Sequence, residues 1–290
     1  MNKRTPIHWP SIKAILLEYT ICFSCILLTM LFWNIYTVIS CMLIVGIRQH
    51  ALFIIYHDAV HYLISPNKRI NDLIINLFVG VPFLVPINTY RSFHLSHHNL
   101  LGKEGDPEIA IYHKGQYWNY EPLKAKKLFF QFIGDLTMWN NFKSMMYCFL
   151  ETSNPLSKMK LVKSKIFPEL YLMIFVFLGA WLFLYISDST IFFHLLLLWF
   201  VPFLTITQLI QKIRSFTEHT FNEKGTTSGS WKVNLLGKLT IWPYNINYHR
   251  EHHEKPNIPW DELPINFPNI KQKASTELWS TLYLSNRLKG

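Results

Sequence analysis

The chain has 290 residues, of which half are apolar and only 16% are charged, against roughly a quarter charged in ordinary soluble domains. That composition excludes intrinsic disorder, and four cysteines in such a length exclude a disulfide scaffold. The formal charge of +10 suits either nucleic acid or an anionic membrane surface, and where the charges sit decides between them.

No Lys or Arg occurs from Ala14 to Ile47. This window, extended by apolar residues to Tyr56, is long enough for two helical crossings of a hydrocarbon core about 30 Å thick. The expected spans are 14–33 and 36–56, with Asn34-Ile35-Tyr36 at the tip. Leu73–Ile87 is apolar but short, and Gly80, Pro82 and Pro86 interrupt it. Histidine clusters flank it on both sides, so it is expected to be buried or re-entrant rather than a crossing. Leu128–Leu150 mixes aromatics with Gln131, Asp135, Asn140, Asn141 and Lys143, as suits a helix lying in the membrane interface. A second cation-free window runs from Ile166 to Gln211, about 69 Å as helix at ~1.5 Å per residue. It predicts spans 170–187 and 190–211, turning at Ser187-Asp188-Ser189. Thr226 to Ser230 reads as a loop.

Apart from Arg48 in the second expected span, all Lys and Arg lie on the amino-terminal, middle and carboxy-terminal segments that flank these hairpins. The positive-inside rule then puts both termini in the cytoplasm and both tips outside. The expected fold class is all-α: a multi-pass integral membrane protein, four transmembrane helices in two hairpins, with a cytoplasmic helical cap. Residues 1–290 are expected to form a single membrane domain. Topology and anionic headgroups account for the basic residues, so no nucleic-acid partner is expected.

The chain holds 13 histidines, and nine of them fall in four places. These are His57-Asp-Ala-Val-His61, His94-Leu-Ser-His97-His98, the single His219, and His249-Arg-Glu-His252-His253. On a helix, residues three and four apart share a face, so each cluster can aim two or three imidazoles at one point. Imidazole suits iron, zinc, copper and nickel. Nine nitrogens exceed the four of a closed zinc site and suffice for two metals. His57 and His219 lie where spans two and four leave the membrane on the cytoplasmic side, so all nine can meet there. Lone histidines are ordinarily hydrogen-bonded core or surface residues, which is the reading of His8, His50, His113 and His194.

Other classes fit less well. A metal transporter should carry ligands near the bilayer midplane, but the spans hold few ligating groups beyond Glu18, His50 and His194. An intramembrane zinc protease needs His-Glu-x-x-His, which this chain lacks. Cys22-x-x-Cys25 lies inside the first span and reads as packing.

At its histidine clusters the sequence resembles the membrane fatty acid desaturase and hydroxylase superfamily. The pattern of that family is HxxxH or HxxxxH, then two HxxHH boxes, with an isolated histidine after the fourth span. His57/His61, His94/His97/His98, His249/His252/His253 and His219 correspond to it, and Asn247-Tyr-His-Arg-Glu-His-His253 looks especially like the third box. The resemblance implies a four-span helical fold whose nine histidines hold two Fe ions. It implies O2 as co-substrate, hydrogen abstraction from an unactivated C–H bond, and an acyl or other lipid-like substrate. Electrons would come from a ferredoxin, or from cytochrome b5, with a reductase. Desaturation leads; hydroxylation or ketolation is the alternative, and His57-Asp-Ala-x-His61 is similar to the first box of carotenoid ketolases. The expected location is a bacterial inner membrane rather than the endoplasmic reticulum. Ser215 stands where animal acyl-CoA desaturases carry an asparagine one turn before the isolated histidine.

Acidic residues accompany the ligands: Asp58, Glu218 and Glu251, with Glu104, Asp106 and Glu108 after the second cluster. A carboxylate there can accept the far ring N–H and fix the ligating tautomer. This role is expected for Asp58 and Glu218 above all, and also for Asp106 and Glu251. Asn247, two residues before His249, is a comparable partner.

Overall fold

The computed structural model describes residues 6–103, 105–108, 125–143, 163–219, 228–268 and 273–274. Glu104, His113, the end of the 128–150 stretch and the start of the 226–230 loop lie outside the described residues. The described chain is mostly helical. Its helices are α1 (Trp9–Leu31) and α2 (Ile35–Val60), α3 (Lys68–Phe83) and α4 (Ile87–Leu100), α5 (Ala125–Leu136) and α6 (Lys163–Ser187), and α7 (Ser189–His219). Short helices α8 (Leu235–Leu239), α9 (His249–Glu254) and α10 (Leu263–Asn266) follow. Two two-residue strands, β1 (Trp231–Lys232) and β2 (Lys273–Ala274), pair in parallel.

Helices α1, α2 and α7 are long and apolar enough to cross a membrane. They fall on the first, second and fourth expected spans, with α1 ending at Leu31. The third expected span falls on α6, a helix of 25 residues that includes the apolar stretch Tyr171–Ser187. The expected tips are helix breaks. Asn34 caps α2 by accepting from the N–H groups of Tyr36 and Thr37, while Thr37 Oγ1 accepts from the Asn34 N–H, a reciprocal capping box. Asp188 caps α7 by accepting from Thr190 and Ile191. Leu16, Phe23, Leu27, Phe175, Phe183 and Ile186 are exposed; apolar faces of that extent suit hydrocarbon rather than water.

The chain divides into two compact units: residues 1–95 with 150–203, and residues 96–149 with 204–290. The division falls inside α4 and inside α7.

In the first unit the inner part of α2 is the most buried element, packed against α1. The α7 backbone widens to a π-helix at Leu196–Phe200, and buried Gln49 donates to the Trp199 carbonyl at 2.8 Å. A cavity of about 260 Å³ is lined by apolar and aromatic residues including Tyr19, Phe23, Phe177, Trp181, Trp199 and Phe200. Between α3 and α4 the chain bends by 97°. Leu84 takes a left-handed conformation at φ 55°, and Asn76 Oδ1 accepts from the Ile87 N–H at 3.0 Å. Leu73–Ile87 is this bend. Gly80 makes it possible: a Cβ there would lie 2.7 Å from Asn76 Oδ1 and 3.1 Å from the Val85 carbonyl.

In the second unit α5 exposes Phe129, Phe130, Ile133 and Leu136 but buries Asp135. Lys212 Nζ, on the last turns of α7, pairs with Asp135 Oδ1 at 2.5 Å, and Asn141 Nδ2 donates to the Leu204 carbonyl at 2.5 Å.

Candidate metal centre

The first unit brings together His57, His61 and His94. The end of α2 is held from outside: Asn71 Nδ2 donates to the Ala59 carbonyl at 2.9 Å, and Arg91 donates to the carbonyls of Val60 at 3.0 Å and Ala59 at 3.3 Å. These satisfy carbonyls that a helix end leaves without partners. Tyr62, at φ 59°, stops the helix with the left-handed residue common after a C-cap. Arg91 is itself fixed by Asp72 at 2.6 Å. It lies one turn before His94 on α4, so the same residue that ends α2 positions His94. His94 Nε2 stands 3.2 Å from His61 Nε2, and the His57 and His94 rings are 4.3 Å apart. Burial, then the Arg91 charge, lowers the His61 pKa to about 4, so its ring is neutral near pH 7. Asp58 lies 3.9 Å from His57 Nδ1, beyond direct hydrogen bonding.

The second unit gathers His97, His98, His219, His249, His252 and His253. One ring nitrogen from each of His97, His219, His249 and His253 lies within 4.8 Å of the others. His249 Nε2 is 3.1 Å from His219 Nε2 and 2.9 Å from His253 Nε2. Two donors bound at about 2.1 Å to one ion stand about 3.0 Å apart at a right angle and about 3.4 Å at a tetrahedral angle. The observed separations match a shared ion. Beside this group the His98 ring stacks on His253 at 4.2 Å and faces His252 at 5.1 Å.

Backbone exchange places α9 against the end of α7. The Trp231 N–H donates to the Asn247 carbonyl at 3.0 Å, Asn247 Nδ2 returns to the Trp231 carbonyl at 2.8 Å, and Trp231 Nε1 donates to the Thr217 carbonyl at 3.1 Å. His219, alone in sequence, thereby meets His249 and His253. Asn247 spends its amide on this strap rather than on an imidazole. Glu251 accepts from Ser230 Oγ, which in turn accepts from the Arg250 N–H; its carboxylate also serves the backbone frame.

Three carboxylates face the rings. Asp106 is buried and its Oδ1 lies 2.9 Å from His97 Nδ1. The same side chain accepts from the N–H groups of Gly102 and Glu108, so it also shapes the loop after α4. Glu218 lies 3.4 Å from His249 Nδ1 and is held by Arg214 Nη1 at 2.9 and 3.2 Å. Glu108 Oε2 lies 3.1 Å from His97 Nε2 and 3.7 Å from His219 Nε2.

The electrostatics sort the rings. Burial, reinforced by the neighbouring imidazoles, holds His249 and His253 well below the usual histidine value, in the neutral form that binds metal. Burial would lower His97 too, but Glu108 and Asp106 outweigh it and raise its pKa above 6.5. Burial would raise Glu108, yet His97 and His219 pull it down to about 2.

The family model for fatty acid desaturase matches residues 32–283, which include all nine histidines. The chain belongs to the fatty acid desaturase family. Among relatives, the family member named sphingolipid delta(4)-desaturase DES1 from Pongo abelii is 24% identical over 75% of this chain and 60% of that protein. Dihydrorhizobitoxine desaturase from Bradyrhizobium elkanii is 25% identical over 84% of this chain and 70% of that protein. A putative sphingolipid delta(4)-desaturase/C4-monooxygenase from Caenorhabditis elegans is 23% identical over 88% of this chain and 65% of that protein. The chain thus spans 60% to 70% of the length of these desaturases.

Two residues that build the centre carry weaker sequence signals. Arg214 was legible only as an i, i+4 partner of Glu218. Arg91 was marked by nothing except its place one turn before a histidine cluster.

Proposed function

We propose that this chain is an O2-dependent membrane diiron oxidoreductase that desaturates a fatty acyl chain or other lipid-like substrate. The observation that carries the reading is the convergence of one nitrogen each from His97, His219, His249 and His253 within 4.8 Å. These four would hold one iron, and the histidine pattern of the sequence nominates His57, His61, His94, His98 and His252 for the second. Bound iron supplies, from O2 and two electrons, the oxidant that removes hydrogen from an unactivated carbon.

The protein's own part is to present neutral imidazoles in fixed tautomers. Asp106 engages Nδ1 of His97 and leaves Nε2 for the metal. Glu218, restrained by Arg214, stands 3.4 Å from His249 Nδ1 and would do the same there on closer approach. The all-apolar cavity of the first unit suits an alkyl chain, which offers no polar group to pair.

We propose further that the four expected spans form two hairpins with both termini cytoplasmic, in a bacterial inner membrane, and that residues 1–290 work as one domain. A ferredoxin or cytochrome b5 with its reductase would deliver electrons. The C4-monooxygenase activity in the name of the Caenorhabditis elegans relative favours hydroxylation as the second reading. Product analysis by mass spectrometry in a host expressing this chain separates the two. Loss of two hydrogens supports desaturation, and gain of one oxygen replaces it with hydroxylation. An unchanged lipid and metabolite profile in an iron-replete host with a working donor refutes both.

A further inference from the structure

Glu108 differs from the other carboxylates of the second unit in which side of an imidazole it meets. Asp106 and Glu218 approach Nδ1 atoms, the far side of rings whose Nε2 atoms converge. Glu108 Oε2 instead stands among the converging atoms, 3.1 Å from His97 Nε2 and 3.7 Å from His219 Nε2. When Nε2 of His97 binds a metal it carries no proton, so Glu108 has no N–H there to accept. A carboxylate in that place either binds the ion or faces two lone pairs at close range, which is repulsive.

Its 3.1 Å separation from His97 Nε2 is that of neighbouring ligands on one ion, about 3.0 to 3.4 Å for bonds near 2.1 Å, and the 3.7 Å to His219 Nε2 corresponds to a wider angle of about 120° at the same ion. The side chain is only 15% exposed, so water screens little of its charge. Its other oxygen, Oε1, accepts from Ser215 Oγ on α7, which fixes the carboxylate's rotation and turns Oε2 toward the nitrogens. The Glu108 N–H is tied to Asp106 Oδ1, so the backbone is fixed as well.

We infer that Glu108 is a direct ligand of the metal held by His97, His219, His249 and His253, with Ser215 as its positioning residue. This inference rests on the proposed iron site. The site would be a mixed imidazole–carboxylate one, its net charge one unit less positive than four imidazoles alone would leave it. A less positive site favours the oxidised state of iron and holds the ion more tightly.

The test uses the full chain purified in detergent and loaded with iron-57, as wild type, Glu108→Ala, Glu108→Gln and Ser215→Ala. Two quantities are read: the rate of iron loss to a chelator and the Mössbauer spectrum. Glu108→Ala is expected to lose one iron at least about tenfold faster, since even partners of ligands are worth about 10–100-fold in metal affinity. Glu108→Gln keeps the shape but not the charge, and should change the spectrum of one iron and leave the other as it was. Ser215→Ala should move the same spectral component less. If Glu108→Ala fails to fold, the spectrum of the isosteric glutamine variant decides. Wild-type loss rates and an unaltered spectrum in the Glu108 variants would overturn the assignment while leaving the iron site intact. A wild-type protein that takes up no iron would bring down the proposed function and this ligand together.

Discussion

In the proposed iron site Asp106 would select which nitrogen of His97 faces the metal, because one carboxylate oxygen contacts Nδ1 and the side chain also ties down the loop that carries Glu108. Asp106→Asn keeps the shape and weakens the acceptor, so turnover or iron affinity should fall about 10–100-fold, measured by oxygen consumption and metal content. By contrast, His194 packs edge-on against Trp33 and His8 Nδ1 lies beside Ser11 Oγ. Alanine at either should leave most activity, whereas alanine at any of the nine clustered or isolated site histidines should abolish it. Metal uptake should also depend on pH with a definite sign. Protons compete for an imidazole ligand, and in the metal-free protein His97 titrates above its ordinary 6.5. Iron affinity should therefore weaken as pH falls through a midpoint above 6.5, and Asp106→Asn should move that midpoint down. A midpoint below 6 in the wild type would contradict the assignment of His97 as the proton-sensitive ligand. The histidine spacings were legible because three- and four-residue intervals on a helix fix a common face. Glu108 was visible as an acidic residue after the second cluster, but not as a group facing Nε2. That depends on how Gly102, Gly105 and Asp106 fold the loop, which no periodicity records.

At the scale of elements, the bend between α3 and α4 positions His94 and the start of the second cluster. Gly80 and the two prolines marked an interruption in sequence; the 97° angle and the Asn76 bond that stabilises it were not legible, since they depend on a contact across the bend. Gly80→Ala would put a methyl 2.7 Å from Asn76 Oδ1. Overpacking of this kind costs about 1–3 kcal/mol, so the variant should unfold at lower temperature in detergent by differential scanning fluorimetry. An unchanged midpoint would show that the bend relaxes freely. The π-helix at Leu196–Phe200 was equally hidden. Periodicity shows an apolar helix, whereas its widening accompanies the Gln49 bond to the Trp199 carbonyl, a partner distant in sequence. The long helices themselves were plain from cation-free windows, because burying charge in hydrocarbon is costly.

For the whole molecule, charge asymmetry makes the most direct prediction about topology. A periplasmic-active reporter fused at Ser189 should report from outside, and one fused after Gly290 should stay silent. The same side for both would overturn the two-hairpin arrangement. Family membership now rests on residues 32–283, and the central claim is that imidazoles of this chain hold iron. X-ray absorption at the iron edge of catalytically competent, detergent-purified protein tests it most directly. The account predicts nitrogen and oxygen neighbours at about 2.0–2.2 Å with the outer-shell scattering of several imidazole rings, lost in part from His249→Ala. Iron without imidazole scattering, or zinc as the sole stoichiometric metal in a preparation with full turnover, would contradict it.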